Sequence, residues 1–445
     1  VAAGKIAIRP LNTLQCGRWK PYDQAGDRSK HDPRVADQEL AKRLRTSGAV
    51  LIEGPKSCGK TETARRQAAS EVLLDVDVRA RTTAAIDPGL ILDGEVPRLI
   101  DEWQVEPEVW NHVRRAVDER RDAGQFILAG SAVPADDATR HSGAGRISRL
   151  RMRPMSLFES GMSDGSISLS DLMNAGRPRS ADRGIELADL TEALVRGGWP
   201  ALQNLPVDDA IERTSDYLVE ISRTDINQVD GVHRDPIRVR RLLGSLARNV
   251  ATQVALTTLA ADTAEGGEGP LKRHTVSEYL SALERLFVLE NQPAWQPHLR
   301  SRSRLRSEPK RHFVDPSLAA AALGASPTAL LRDLNLLGFL FESLVVRDLR
   351  VYSQPERGEV RQFRDNKGLE LDAIVVYPDR WAAFEVKLGG EKAVDEASRS
   401  LLKFASEIDT KRSGAPEALG VIVAGGYGYV REDGVQVIPI TSLGP

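Results

Sequence analysis

The chain has 445 residues, enough for two or three domains, and only two cysteines, Cys16 and Cys58, which argues against a disulfide framework and fits a reducing compartment. With 41% hydrophobic and 28% charged residues and a net charge of −2, it has the composition of a soluble globular protein and not of a polycation. Any nucleic-acid contact must therefore come from a local basic face. No apolar run reaches membrane-spanning length and no signal-peptide core opens the sequence, so the expected location is cytoplasmic, with no membrane partner.

Residues 1–38 are polar and irregular, with Pro10, Pro21 and Pro33, and read as an N-terminal arm. A charged helix over 36–45 leads into the apolar strand at 49–53. The strand runs into Gly54, Pro55, Lys56, Ser57, Cys58, Gly59, Lys60, Thr61 and Glu62, which fit the pattern G-x-x-x-x-G-K-[ST]. Its glycines let backbone N–H groups converge on an anion, and the following helix aims its positive end there. Lys60 supplies a point charge for the outer phosphates and Thr61 a hydroxyl for Mg²⁺. The alternative, an ordinary surface turn, does not explain the flanking strand and helix. The helix is expected to continue over 62–70, followed by a strand over 71–78.

The strand at 98–102 ends in two carboxylates about forty residues after the loop, in α/β alternation. Asp101 is placed to hold the Mg²⁺ shell and Glu102 to orient and activate the attacking water. A helix is expected over 106–123, with Val109, Trp110, Val113 and Val117 on one face. A buried strand at 126–131 ends in Ser131, which fits either a hydroxyl sensing the terminal phosphate or a helix cap. Residues 140–153 hold Arg140, Arg146, Arg149, Arg151 and Arg153 and no acid, either a solvated basic loop or a source of one arginine for a neighbouring subunit's phosphate.

Together these pieces resemble the AAA+ ATPases, specifically the prokaryotic group (AAA_14) in which such a module precedes the domain of unknown function DUF4143. The resemblance rests on Gly-Pro-Lys-Ser-Cys-Gly-Lys-Thr (54–61), Leu-Ile-Asp-Glu-Trp-Gln (99–104), Ile-Leu-Ala-Gly-Ser (127–131), Gly-Arg (145–146) and Arg-Pro-Met-Ser-Leu-Phe-Glu (153–159), in order over 40–160. It implies a Walker A at 54–61, a Walker B at Asp101 and Glu102, a sensor at Ser131 and a trans-acting arginine near Arg146. It also implies ATP held between the subunits of a ring, often a hexamer.

Residues 161–182 are rich in Ser, Gly and Asp and read as a linker. The run Arg196-Gly-Gly-Trp-Pro200 resembles the same family's turn at the ATPase lid. Helical periodicity follows over 208–226 and 236–250. The series 254–261, 274–289 and a strand at 287–295 resembles a winged helix, with Lys272 and Arg273 at the start of the helix that would face phosphates. A helical bundle for subunit contact is the other reading. Next, Arg300, Arg302, Arg304 and Arg306 alternate at period two within the basic stretch 298–312. On an extended segment they share one side, which suits a phosphate backbone better than base edges, although a solvated loop reads the same way.

The last part carries a second constellation. Glu342 falls on a helix, Asp372 on a strand starting at 370, and Glu385 and Lys387 at the end of the strand 381–387. This resembles the PD-(D/E)xK nuclease fold, with Leu371 standing where a proline precedes the acid. In that chemistry Asp372 and Glu385 share Mg²⁺, Lys387 positions water, and Glu342 completes the shell.

The fold expected is α/β. An N-terminal arm (1–38) precedes a P-loop AAA+ core (39–160), a linker and helical lid (161–235), a winged-helix-like region (236–315) and a PD-(D/E)xK-like domain (316–445). The function expected is an ATPase using ATP and Mg²⁺ that remodels or translocates duplex or branched DNA, such as a four-way junction, as a homo-oligomeric ring. Two other classes stay open: an ATP-gated nuclease, and an ATP-dependent switch that binds a protein.

Overall fold

The computed structural model describes residues 33–131, 142–264, 269–296, 308–365 and 368–445. The first layer is built from α1 (Val35–Leu44), β1 (Ala49–Glu53), α2 (Lys60–Arg65), β2 (Ser70–Leu73), α3 (Val78–Ile86), β3 (Arg98–Asp101), α4 (Val109–Arg120), β4 (Phe126–Gly130) and β5 (Ile147–Arg151). The five strands form one parallel sheet in the order β2-β3-β4-β1-β5. Parallel strands covered on both faces read as unbroken apolar runs, as Ala49 to Ile52 and Phe126 to Gly130 do; all are buried. Because all five run the same way, Glu53, Asp101 and Gly130 end at one rim. The helix after the loop stops at Arg65 and not near residue 70, because Ser70 is taken by its pairing with Arg98. Helix α4 buries Val109, Trp110, Val113 and Val117, the face expected from their spacing.

The segment at 161–182 is more than a bare linker. It contains β6 (Ile167–Ser168) and α5 (Leu169–Leu172), and Ile167 pairs with Leu443 far along the chain. The helical middle follows: α6 (Leu187–Arg196), α7 (Val207–Glu220), a π-helical turn (Ile221–Asp225), α8 (Ile226–Gln228), α9 (Pro236–Arg248), α10 (Leu256–Ala261) and α11 (Arg273–Arg285). Asp235 caps α9 through Ile237 N at 2.9 Å, with Pro236 at the first helical position. An antiparallel pair, β7 (Leu289–Gln292) and β8 (Lys310–Phe313), precedes α12 (Pro316–Leu323), α13 (Pro327–Arg332) and the long α14 (Leu334–Ser353).

A second sheet comprises β9 (Glu359–Arg364), β10 (Glu370–Val376), β11 (Trp381–Lys387), then, after α15 (Glu391–Glu407) and α16 (Thr410–Ser413), β12 (Leu419–Val423), β13 (Tyr429–Val430) and β14 (Gln436–Pro439). The order is β13-β14-β12-β11-β10-β9, with β9, β10 and β11 antiparallel and β11, β12 and β14 parallel. Alternation splits its residues between two cores. Ala373, Val375 and Phe384 pack with Leu340, Phe341 and Leu344 of α14, whereas Ile374, Ala383 and Val421 pack with Val394, Leu401 and Phe404 of α15. The short β15 (Leu443–Gly444) closes on β6.

Residues 31–445 cluster as one unit. A buried triad helps bind it. Arg347 of α14 donates Nη1 to Asp315 Oδ2 at 2.7 Å and Nη2 to Asp348 Oδ1 at 2.7 Å. Asp348 Oδ2 accepts Leu157 N, and Asp315 Oδ2 accepts Gly198 N, both at 3.0 Å. Among the described residues no helix is long and apolar enough to cross a membrane.

Candidate functional site

The rim of the first sheet gathers the chemistry. Lys60 is buried at the start of α2 and donates Nζ to the carbonyls of Gly54 at 3.0 Å and Pro55 at 2.7 Å, so its ammonium is held inside the loop where outer phosphates would dock. A Cβ on Gly54 would meet Met152 O at 2.1 Å, and Gly59 takes φ +99° to turn the chain into α2; neither position accepts a side chain without strain. Glu62 turns away from the loop to Arg65, at 2.7 Å, on the exposed side of α2.

Thr61 Oγ1 donates to Asp101 Oδ2 at 2.9 Å across the rim. Asp101 is buried, and its other oxygen has no hydrogen-bond partner. Burial, with Glu102 adding to it, raises its pKa against the pull of Thr61. A buried orphan carboxylate oxygen beside a hydroxyl is a fitting donor set for a hard cation, so Mg²⁺ suits Thr61 and Asp101 together with phosphate oxygens. Glu102 adopts φ 50°, a left-handed conformation uncommon for a side-chain-bearing residue and enriched at functional sites. Its Oε2 accepts from Ser131 Oγ at 3.3 Å and from Gln104 Nε2. Acid and hydroxyl, far apart in the chain, thus face one point.

The loop is braced by residues that sequence reasoning passed over. Arg34, within the segment read as an arm, donates to Cys58 O at 2.7 Å, Arg153 O at 2.8 Å and Glu159 Oε1 at 3.0 Å. Lys56 pairs with Asp225 of the π-helical turn at 2.6 Å, tying the loop to the helical middle. Pattern alone gave no signal for either contact. Cys58 is buried and free.

The second constellation is also brought together, with an intruder. Lys387 Nζ lies 2.7 Å from Glu385 Oε2 and 3.5 Å from Asp372 Oδ2, which also accepts Val386 N at 2.9 Å. Lys310 of β8 enters the same cluster, 2.7 Å from Glu342, 3.0 Å from Glu370 and 3.5 Å from Asp372. This corrects two expectations. Lys310, Arg311 and His312 are buried in a strand pair and do not extend the basic row toward solvent. Glu342 does not complete a metal shell with Asp372, because a lysine ammonium sits between them. Among the described residues no group of three His, Cys, Asp or Glu is arranged to hold a metal. Burial and the Asp372 charge push Glu342 and Glu385 up to about 8. Asp372, though buried, is held below its ordinary value by Lys310 and Lys387.

Residues 46–160 match the family model of an AAA domain. They form an AAA-type ATPase domain. Residues 187–329 match a domain of unknown function, DUF8612, and residues 337–443 another, DUF4143. Among curated proteins nothing matches. A solved Walker-type ATPase of Pyrococcus abyssi is 13% identical, over 64% of this chain and 94% of that one, with a TM-score of 0.39, a likeness too loose to carry any reading of the site.

Within the ATPase domain the arginines of the acid-free window find partners elsewhere. Arg149 meets Glu53 at 2.9 Å, Arg153 meets Glu290 at 2.6 Å, and Arg151 lies over the Phe287 ring at 4.2 Å. Arg146 pairs with Asp118 at 2.8 Å, and its carbonyl accepts Ala49 N, which puts it at the rim opposite the phosphate loop of its own chain. Arg140 lies outside the described residues. Lys272 and Arg273 are exposed at the start of α11, and Arg273 and His274 line a groove of about 690 Å³. Arg300, Arg302, Arg304 and Arg306 lie outside the described residues.

Proposed function

We propose that this ATPase couples ATP hydrolysis to the remodelling or translocation of duplex or branched DNA, working as a homo-oligomeric ring. The observation that carries the ATPase chemistry is the meeting of Lys60, the Thr61–Asp101 pair and the Glu102–Ser131 pair at one rim. Lys60 would neutralise the outer phosphates and α2 would present its N-terminus to them. Thr61 and Asp101 would hold Mg²⁺, which lends charge to the leaving phosphates when bound. Glu102 would take the proton of the attacking water, and Ser131 would fix the carboxylate's orientation.

Support for DNA comes from the middle of the chain. Helices α9, α10 and α11 followed by the β7–β8 pair have the element order of a winged helix, and Lys272 and Arg273 are exposed at the start of α11. The four alternating arginines belong in sequence to the connection between β7 and β8. In a ring, Arg146 would leave Asp118 for the nucleotide of the next subunit. The lysine-filled acid cluster favours a DNA-gripping scaffold over a cutting centre. The deciding experiment is ATP turnover with and without duplex and four-way DNA. Stimulation by DNA, abolished in Lys60→Ala, is expected. Turnover indifferent to DNA at low salt, where phosphate contacts are strongest, would overturn the DNA reading. Metal-dependent cleavage lost in Asp372→Ala would replace it with a nuclease.

A further inference from the structure

One edge of the second sheet carries an arrangement unrelated to the nucleotide rim. Ser180 and Gly428 form an antiparallel bridge, with Ser180 N to Gly428 O at 3.2 Å and Gly428 N to Ser180 O at 3.1 Å. In that register Arg179 stands opposite Tyr429, and Arg177 opposite Arg431. Side chains alternate along extended chain. Arg177, Arg179, Tyr427 and Tyr429 are accordingly exposed, whereas Pro178 and Gly428 between them are buried. The four exposed residues line an open groove of about 650 Å³. The start of the ribbon is pinned by Gln436 Nε2 to Gly176 O at 3.1 Å.

We propose that this ribbon binds single-stranded nucleic acid. The tyrosine rings are 65% and 45% exposed, which leaves their faces free to stack. Stacking on aromatic rings is the sequence-tolerant way to hold unpaired bases, and a duplex hides the base faces the rings would need. The arginines supply the backbone contacts. Arg431 is already neutralised by Asp395 at 2.9 Å and Asp433 at 3.2 Å, but among the described residues Arg177 and Arg179 have no acidic partner. Two residues apart on extended chain, they sit about 6.7 Å from each other and follow the direction of the ribbon. An acidic peptide would satisfy the arginines and leave the rings uncovered. Through the register Tyr429–Val437–Val421–Glu385, the ribbon lies three strands, about 14 Å, from the acid–lysine cluster, with buried Val437 and Val421 between them.

The test is anisotropy of labelled oligo-dT and oligo-U with the whole chain and no ATP added. Wild type is expected to bind, with the two oligomers telling DNA from RNA. Tyr427→Ala with Tyr429→Ala should weaken binding about tenfold or more, and Tyr→Phe at both positions should keep it. Arg177→Ala with Arg179→Ala should flatten the logarithmic salt slope by about 1.4. Unchanged melting temperature and basal ATP turnover in each variant exclude misfolding. The proposal is overturned if wild type fails to hold either oligomer, if the four substitutions leave binding unchanged, or if duplex or an acidic peptide displaces the oligomer more effectively than unlabelled oligo-dT. A chain stimulated by duplex DNA that ignores both oligo-dT and oligo-U would remove this platform and leave the ATPase reading standing.

Discussion

Replacing Arg347 by methionine should destabilise the whole described unit, and the size of the effect follows from its contacts. The guanidinium is 3% exposed and makes three hydrogen bonds, two to Asp348 and one to Asp315, both of which are fully buried. Methionine fills much of the volume but leaves two buried carboxylates without their cation. Breaking a buried pair from one side costs about 3–5 kcal/mol, a large part of a typical total of about 5–15 kcal/mol. Urea unfolding followed by tryptophan fluorescence measures it. The sign of the pH dependence is fixed too. Burial already raises Asp348, and without the Arg347 charge that opposes it Asp348 would rise further. A carboxyl raised in the folded state stabilises below its unfolded pKa and loses that contribution as pH climbs through the folded value. The variant's deficit should therefore shrink toward about pH 5 and widen above neutrality. Adding Asp315→Asn and Asp348→Asn should recover part of it. A loss below about 1 kcal/mol, or a deficit independent of pH, would show that the triad does not anchor the unit.

Other expectations are more local. Glu102→Gln should lower ATP turnover roughly 10²–10⁴-fold with nucleotide binding retained, measured by turnover and calorimetry; unchanged turnover would remove Glu102 from the chemistry. Gly54→Ala should abolish ATP binding, since the new methyl would lie against Met152 O at 2.1 Å, and full binding in a folded variant would show that the loop has room. Because Glu342 and Glu385 are pushed from 4.5 up to about 8, wild type should lose melting temperature between about pH 4.5 and about pH 8, and Glu342→Gln should flatten that slope. Lys310→Met should unfold the chain more readily by about 3–5 kcal/mol at neutral pH, with partial recovery on acidification; a neutral result would mean that the cluster needs no cation.

Much of the rim was legible because local rules set it. The loop needs Gly54, Gly59, Lys60 and Thr61 at fixed spacing, and strands buried on both faces announce themselves as apolar runs. The acid pair was readable for the same reason, since Asp101 and Glu102 end such a run. Arg34 and Lys310 were not. Each was assigned to its neighbours in sequence, an irregular arm and a basic row, while its partners lie far along the chain: Glu159 for one, Glu342 and Asp372 for the other. Alternation tells which side of a strand a lysine takes and says nothing about the acids waiting there. The exposed tyrosines escaped notice because two aromatic residues in a glycine-rich run look like any turn until the partner strand at Ser180 is known.

The triad of Asp315, Arg347 and Asp348 has an evolutionary consequence. The three family matches follow one another along the chain, yet Leu157 of the first hangs from Asp348 of the third, and Arg347 of the third holds Asp315 of the second. A recombination event that exchanged one segment for a foreign copy would import a loop without its hook, or a hook without its loop. Descent is thereby constrained to carry the segments as a single heritable block, and lineages that diversify here should do so at the outer surface rather than by shuffling parts.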